Sequence, residues 1–173
     1  MNLDHVRQSP RDAGRLELIA RRPADAEREV LEEAELDLAE GLVGDNWRAR
    51  GSSSMPDGSA NPDAQITLMN ARAAALLVGE RERWALAGDQ LYVDLDLSPE
   101  NLPPGTRLEI GSAVLEVTPV PHNGCGKFLR RFGIDAQKRI NSEEGRALNL
   151  RGINAKVVEP GTVRVGDEIR PAR

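Results

Sequence analysis

Short segments in which apolar and polar side chains alternate occupy the second half of the chain. Leu91, Val93 and Leu95 form the first of them, each separated from the next by one residue. Alternation with a period of two is typical of a strand with one buried and one exposed face. A chain of 173 residues with several such segments is restricted to folds built mainly from short β-strands.

Two turns in this half predict hairpins. Gly111-Ser112 lies inside the alternating residues 108–117, and Pro160-Gly161 lies inside residues 157–165. Turn-forming residues between two alternating segments are typical of a β-hairpin. Because no regular strand-helix-strand alternation accompanies them, the pattern predicts a mainly β (α+β) fold, a β-barrel with a few helical insertions.

Composition and turn residues predict the other elements. They are a strand over residues 15–20, an acidic helix over 23–34, a long loop over 50–63, a strand over 65–69, a helix that Asn70 caps and that ends at Val78, and helical residues over 128–140 interrupted at Gly133. The length is that of one ordinary domain, which we expect to span residues 1–173.

Charge and composition exclude some classes of partner. The formal net charge is -5, and aromatic residues make up 3% of the chain, which argues against nucleic-acid binding through basic surfaces and stacking platforms. The longest apolar run, residues 73–78, is too short to span a bilayer, so we expect no membrane partner. Residues 1–7 contain charges and no apolar run, and a lone cysteine cannot form an internal disulfide; both favour a cytoplasmic protein.

Cys125 is the one cysteine of the sequence, and Gly124 and Gly126 flank it, with Lys127 two residues on. A structural thiol favours apolar neighbours, whereas a reactive thiol favours exposure and nearby positive charge. The segment therefore indicates a functional loop around one sulfur, with an incidental loop cysteine as the alternative. Cys125 is therefore the candidate reactive thiol.

His122 precedes Cys125 by three residues, close enough in a curved loop to accept the thiol proton or to stabilise the thiolate. The alternative is that His122 only shapes the turn after Pro121. A structural zinc site normally needs four ligands, and Cys125, His122 and His5 would need a carboxylate to complete one.

Cationic side chains after the cysteine are candidates for binding an anion. Arg130, Arg131, Arg146 and Arg151 could hold an anionic ligand, although arginines on helix faces are often only solvated or paired. Among three Gly-Asp pairs, Gly44-Asp45 is the best functional candidate because it adjoins the long loop, while the pairs at Gly88-Asp89 and Gly166-Asp167 are typical of turns.

Taken in order, several segments resemble the MOSC domain, which forms the C-terminus of molybdenum cofactor sulfurases and also occurs as free-standing proteins. They are Gly44-Asp45, residues 65–70, residues 87–96, residues 102–105, Ile110-Gly111, the Cys125 loop after the strand at residues 115–118, and residues 160–167. The resemblance covers nearly the whole chain, so we expect residues 1–173 to be one MOSC domain with a MOSC-type β-barrel.

The resemblance implies a pocket for the molybdenum cofactor, with Cys125 at the position of a cysteine that carries sulfur or contacts the metal. The residues expected to bind this cofactor are Lys127, Asp45, Asn70, Arg72, Arg130 and Arg151. Many members have a proline directly before the cysteine, whereas this chain has Gly124 there and Pro121 further upstream.

The sulfurases also carry an N-terminal pyridoxal-phosphate domain that extracts sulfur from cysteine. We expect no such domain within 173 residues, so sulfur would come from a cysteine desulfurase, with a molybdoenzyme as a possible recipient. The resemblance implies a carrier or transferase of sulfur. The alternatives are a molybdenum-dependent reductase of N-hydroxylated compounds and a cofactor-binding module without turnover.

Overall fold

The computed structural model describes residues 2–173. Its strands are β1 (Gly14–Arg21), β2 (Glu29–Leu31), β3 (Glu33–Asp37), β4 (Gly41–Leu42), β5 (Ile66–Asn70), β6 (Leu91–Asp94), β7 (Arg107–Ile110), β8 (Ala113–Val117), β9 (Ile153–Glu159), β10 (Gly161–Arg164) and β11 (Glu168–Pro171). Its helices are α1 (Asp4–Arg7), α2 (Trp47–Arg50), α3 (Ala71–Leu77), α4 (Gly126–Asn141) and α5 (Glu143–Ala147), with 3₁₀ helices at Pro62–Ala64 and Arg81–Ala87.

The main sheet closes on itself because β1 pairs with both β6 and β11. Within residues 2–173 the closed barrel has seven strands in the order β11-β7-β8-β9-β5-β6-β1, and β2 extends the sheet beside β1. β5 and β6 run parallel, while the other neighbours run antiparallel. The predicted mainly β fold with helical insertions is confirmed.

Two apolar cores lie on opposite faces of the barrel wall. Leu91 and Val93 point into the barrel interior, whereas Tyr92 between them packs in a second core under the helices. Tyr92 and Phe128 belong to this second core, and the Tyr92 hydroxyl donates to the carbonyl oxygen of Trp84 at 2.6 Å. The second core therefore fixes both the Arg81–Ala87 helix and the start of α4 against the barrel.

Burial of Tyr92 corrects one expectation. The sequence predicts a half-buried strand at residues 91–95, but Leu91, Tyr92 and Val93 are all 0% exposed. Helix α3 packs against β6 and covers the face that alternation would leave to solvent.

Local signals predict three other features correctly. The Gly111-Ser112 hairpin joins β7 and β8. The Asn70 side chain accepts hydrogen bonds from the backbone N–H groups of Arg72 and Ala73 and so caps α3. Gly133 interrupts α4 with φ 87° and ψ 171°, a conformation that favours glycine.

The predicted helix over residues 23–34 is wrong, because this part of the chain forms β2 and the start of β3. Glutamate favours helices in isolation, but here the backbone pairs with β1 and with β10. Ala34 and Leu36 are buried while Glu33 and Glu35 are exposed, which is the period of a strand. Pairing over the whole fold therefore outweighs local helix propensity.

The predicted hairpin over residues 157–165 is also wrong, although both of its strands exist. β9 pairs with β5 and β8 in the barrel, whereas β10 crosses to a second sheet in the order β10-β3-β4. Ser112 holds the crossing point, since its hydroxyl accepts a hydrogen bond from Thr162 N–H at 2.8 Å. Among residues 2–173, no helix is long and apolar enough to cross a membrane.

Candidate functional site

A cavity of about 290 Å³ lies where the connection between β1 and β2 meets the loop before α4 and the first turns of that helix. We call it the basic pocket because its lining includes six cationic side chains: Arg22, Arg28, Arg50, Lys127, Arg131 and Arg151. The whole chain has a formal charge of -5. Positive charge is therefore concentrated at this cavity, as expected for a site that takes an anionic ligand.

Cys125 and His122 both line the basic pocket, so the structure brings the two predicted catalytic residues to one cavity. Cys125 is exposed, as predicted from its flanking glycines, and lies directly before α4 begins. Phe128, 2% exposed, fixes the first turn of α4 in the second core. The thiol is thus accessible to a ligand in the pocket while its backbone is attached to a packed helix.

Asp89 lies beneath the pocket with a side chain that is 0% exposed. One carboxylate oxygen is 2.6 Å from His122 Nε2, and the other accepts a hydrogen bond from Arg151 Nη1 at 2.5 Å. Burial alone would raise the pKa of Asp89, but the adjacent Arg151 and His122 hold that pKa well below its ordinary value. The ionised carboxylate therefore orients both pocket residues.

His122 is neutral at pH 7, because burial and the charge of Arg151 lower the pKa of its ring despite the opposing effect of Asp89. A neutral ring carries one N–H, and Asp89 accepts it from Nε2. Nδ1 is then unprotonated, and within residues 2–173 it makes no hydrogen bond. This nitrogen is available to accept a proton.

Three arginines of the pocket are held by the carbonyl oxygens of Ala85, Leu86 and Ala87, which we call the carbonyl row. The Ala85 oxygen accepts from Arg28 Nε at 3.2 Å, the Leu86 oxygen from Arg131 Nη1 at 2.8 Å and the Ala87 oxygen from Arg151 Nη2 at 2.8 Å. The row ends the 3₁₀ helix at Arg81–Ala87, where the Ala85 oxygen also accepts the backbone N–H of Gly88. It binds guanidinium groups from three separate segments, all of which line the basic pocket.

Arg151 also retains an unsatisfied donor. Its side chain is 6% exposed, its guanidinium carbon lies 5.0 Å from the centre of the Phe128 ring, and its Nε is buried without a hydrogen-bond partner among the described residues. A buried N–H without a partner costs about 1–3 kcal/mol. A ligand oxygen in the pocket would satisfy it.

Positive charge in the pocket is only partly compensated. Arg28 and Arg50 hydrogen-bond with carbonyl and amide oxygens, and neither forms an ion pair with a carboxylate in the described chain. Burial lowers the pKa of Arg28, and the charges of Arg131 and Arg22 lower it further. The pKa of Arg50 is lowered by burial and then by Arg22. Mutual repulsion of this kind is relieved when an anion binds.

Asp45, predicted to bind the cofactor, instead supports an arginine that lines the pocket. Its side chain is 0% exposed and forms an ion pair with Arg22 at 3.3 Å. Its oxygens also accept from the backbone N–H groups of Arg22 and Trp47. The carboxylate itself is not among the lining groups.

Asn70 and Arg72, two further predicted cofactor residues, are not brought to the basic pocket. The Asn70 amide caps α3 and donates to Ser9 Oγ and to the Leu95 carbonyl oxygen, so its polar atoms are already used. Arg72 pairs with Asp94 at 2.8 Å. Asn70 ends β5 and Arg72 lies in the first turn of α3, so their polar groups stabilise the junction between this strand and this helix.

Lys127 and Arg130 occupy different positions relative to the cavity. Lys127 lines the basic pocket, with its ammonium 3.8 Å from the exposed carboxylate of Asp25. Arg130 lines a neighbouring space of about 210 Å³, which we call the outer cleft. The lining of the outer cleft comprises Asp25, Ala26, Arg28, Lys127, Arg130 and Arg131.

Gly124 stands where many resembling proteins have proline, and its surroundings explain the glycine. A Cβ atom at this position would lie 2.3 Å from Gln137 Oε1. Gln137 Nε2 donates to the Gly124 carbonyl oxygen at 3.1 Å, while its own Oε1 is buried without a partner among residues 2–173. The second half of α4 therefore supports the Cys125 loop through the Gln137 side chain.

Sequence reasoning missed the residues that organise the site. Gly88-Asp89 has the composition of an ordinary turn, and nothing local marks Asp89 as a buried ionised group. Arg22, Arg28 and Arg50 are likewise indistinguishable in sequence from solvated arginines. An excess of arginine over lysine in an acidic chain was the available signal, since arginine is the residue favoured in partly buried anion sites.

In the described part of the chain, no group of three or more His, Cys, Asp or Glu side chains could hold a metal ion. The predicted ligand Cys125 therefore provides a single soft donor. A metal there would take its remaining ligands from the molecule that carries it.

Comparison with protein families gives one relationship. The model of the MOSC domain matches residues 56–170, which is more than half of the chain. No curated protein matches the sequence.

Several solved structures share the fold. The YuaD protein from Bacillus subtilis is 20% identical, with a TM-score of 0.62, over 91% of this chain and 94% of that one. YiiM from Escherichia coli is 20% identical, with a TM-score of 0.59, over 92% of this chain and 70% of that one. YiiM from Geobacillus stearothermophilus is 13% identical, with a TM-score of 0.56, over 92% and 73%.

Proposed function

Because the chain belongs to the MOSC domain family, we propose that it binds the molybdenum cofactor in the basic pocket and carries sulfur on Cys125. The family is generally associated with binding of this cofactor. The observation that carries the proposal is the pairing of an accessible thiol with a buried, partly unsatisfied arginine in one cavity.

The phosphate of the cofactor fits the donors that the pocket offers. Arg151 Nε is an N–H without a partner, and Arg28 and Arg50 have no carboxylate partner in the described chain. Guanidinium groups form short, charge-assisted hydrogen bonds with phosphate oxygens. A volume of about 290 Å³ is near the lower limit of about 300 Å³ for small-molecule sites. Part of the ligand would therefore extend to the open side, toward Cys125.

Cys125 is the group that would meet the metal or sulfur end of the ligand. A thiolate is a soft ligand suited to molybdenum, and it can accept the outer sulfur of a donor persulfide while the donor leaves as a thiolate. The donor in that exchange would be a persulfide-bearing protein such as a cysteine desulfurase. The bound cofactor would supply a metal centre that can accept sulfur.

His122 would act as the proton acceptor for this thiol. His122 lines the same cavity as Cys125, and Asp89 holds the ring in the tautomer that leaves Nδ1 unprotonated. A neutral imidazole that accepts the thiol proton raises the fraction of thiolate available for exchange. Asp89 contributes through His122 and Arg151 and does not face the ligand itself.

The test is to purify the native protein gently and to measure its molybdenum and pterin content together with the mass of the peptide that contains Cys125. We expect bound cofactor, and an added sulfur on Cys125 after incubation with a persulfide donor. Cys125→Ser is expected to abolish sulfur loading. Arg28→Gln is expected to reduce cofactor content, whereas Arg107→Gln, on the exposed face of β7, leaves it unchanged.

Each alternative gives a different result. Cofactor binding with full sulfur loading in Cys125→Ser would contradict the carrier role and favour a binding module without turnover. Turnover of an N-hydroxylated compound by the cofactor-loaded protein, with no sulfur loading, would favour the reductase. Absence of cofactor from the native protein, together with failure to take it up, would contradict the proposal as a whole.

A further inference from the structure

The basic pocket continues into the outer cleft without a break in its lining. The two spaces share Asp25, Ala26, Arg28, Lys127 and Arg131, and Arg130 lines only the outer cleft. Cationic groups therefore extend beyond the volume that a single phosphate would occupy. A single phosphate in the basic pocket does not account for the cationic groups of the outer cleft.

Charge in the outer cleft is as weakly compensated as in the pocket. Asp25 is its acidic residue, and that carboxylate is 95% exposed and 3.8 Å from Lys127. An exposed pair at this distance contributes little. Within residues 2–173, the Arg130 side chain forms no hydrogen bond or ion pair, and the Arg131 side chain hydrogen-bonds only with the Leu86 carbonyl oxygen.

The carbonyl row gives the two spaces a common framework. Ala87 binds Arg151, Leu86 binds Arg131 and Ala85 binds Arg28, each through one N–H group of the arginine. Guanidinium groups have five N–H donors, so each keeps donors for a ligand. Each carbonyl of the row binds a guanidinium group that lines the basic pocket, and those of Arg28 and Arg131 also line the outer cleft. Several cations on one continuous lining match linked phosphates better than an isolated phosphate.

We propose that the basic pocket and the outer cleft together bind a diphosphate group, with one phosphate at Arg151 and the second between Arg131 and Arg130. This inference rests on the proposed function and specifies it: the preferred ligand carries two linked phosphates, as in a nucleotide-linked form of the cofactor. A free nucleoside diphosphate offers the same chemistry, and the experiment separates the two sources.

The first test uses inorganic pyrophosphate and inorganic phosphate as probes, with affinity measured by calorimetry at fixed ionic strength. We expect pyrophosphate to bind about tenfold or more tightly than phosphate, as one added hydrogen-bonded charged contact would give. Arg130→Gln is expected to weaken pyrophosphate by about tenfold and to leave phosphate unchanged, because Arg130 touches only the outer cleft. Arg146→Gln, an exposed arginine on α5 outside both spaces, is the matched control.

Equal binding of the two probes, or equal weakening of both by Arg130→Gln, would overturn the inference. The second test identifies the ligand of the native protein by mass spectrometry. A pterin joined to a nucleotide supports the cofactor as the source of the diphosphate, and a nucleoside diphosphate without molybdenum supports the second source while contradicting the proposed function. A cofactor with a single phosphate, in protein that does not prefer pyrophosphate, would contradict the inference and leave the proposed function standing.

Discussion

Replacement of Asp89 by asparagine tests the buried charges beneath the pocket. Asp89→Asn keeps the size of the side chain but leaves Arg151 without its carboxylate partner. We expect the free energy of unfolding to fall by about 3–5 kcal/mol, the usual result of removing one member of a buried ion pair. Desolvation causes this loss, because the remaining guanidinium stays buried and uncompensated.

The exposed fractions of the side chains set this magnitude. Asp89 is 0% exposed and Arg151 is 6% exposed, so water cannot replace the lost partner. Asp94→Asn is the matched control, because Asp94 forms an ion pair with Arg72 in which the side chains are 30% and 21% exposed. For such a pair we expect a loss of about 1 kcal/mol or less.

Urea unfolding and thermal unfolding of the two variants measure the difference. A loss of about 4 kcal/mol lowers Tm by about 8–16 °C in a chain of this size, since each kcal/mol corresponds to about 2–4 °C. The double variant Asp89→Asn/Arg151→Met is expected to recover part of the loss, because it removes the uncompensated charge. Equal destabilisation by Asp89→Asn and Asp94→Asn would refute this reasoning.

The loop from His122 to Cys125 offers three further tests. Burial lowers the pKa of His122, so the folded protein resists protonation of the ring and loses stability as the pH falls below 6.5. His122→Gln is expected to lack this loss. Identical urea midpoints for the variant and the parent on both sides of that pH would contradict the prediction. Gly124→Ala is expected to displace the Gln137 amide and to lower the free energy of unfolding by about 1 kcal/mol. If this contact causes the loss, the loss vanishes in a Gln137→Ala background. Cys125→Ser is expected to leave Tm unchanged, because the thiol is exposed. The same variant is expected to stop both alkylation and sulfur loading. A large fall in Tm would indicate a structural thiol.

Features encoded by neighbouring residues were predictable from the sequence. The Gly111-Ser112 turn, the Asn70 cap and the break at Gly133 each follow from the conformational preference of one residue. Exposure of Cys125 followed in the same way from its flanking glycines. In these cases the local preference and the global fold agree.

Features that depend on distant segments were not predictable from one sequence. The partner of β10 is β3, more than a hundred residues earlier, and nothing in Pro160-Gly161 indicates it. Asp89 becomes a buried anion only because Arg151 and His122 arrive from other segments. A sequence records the charge of each side chain but not which charges the folded chain places together.

Closure of the barrel by β11 has a consequence for synthesis of the protein. β11 lies between β1 and β7, and its partner residues in β1 are Gly14 and Arg15. On the ribosome, β1 emerges before β11, and this edge of β1 stays unpaired while all the strands between them are synthesised. Until Glu168–Pro171 emerge, two strands expose unpaired backbone groups, which is the condition under which nascent chains associate with one another. The last strand therefore sets the interval during which the growing chain most needs a chaperone.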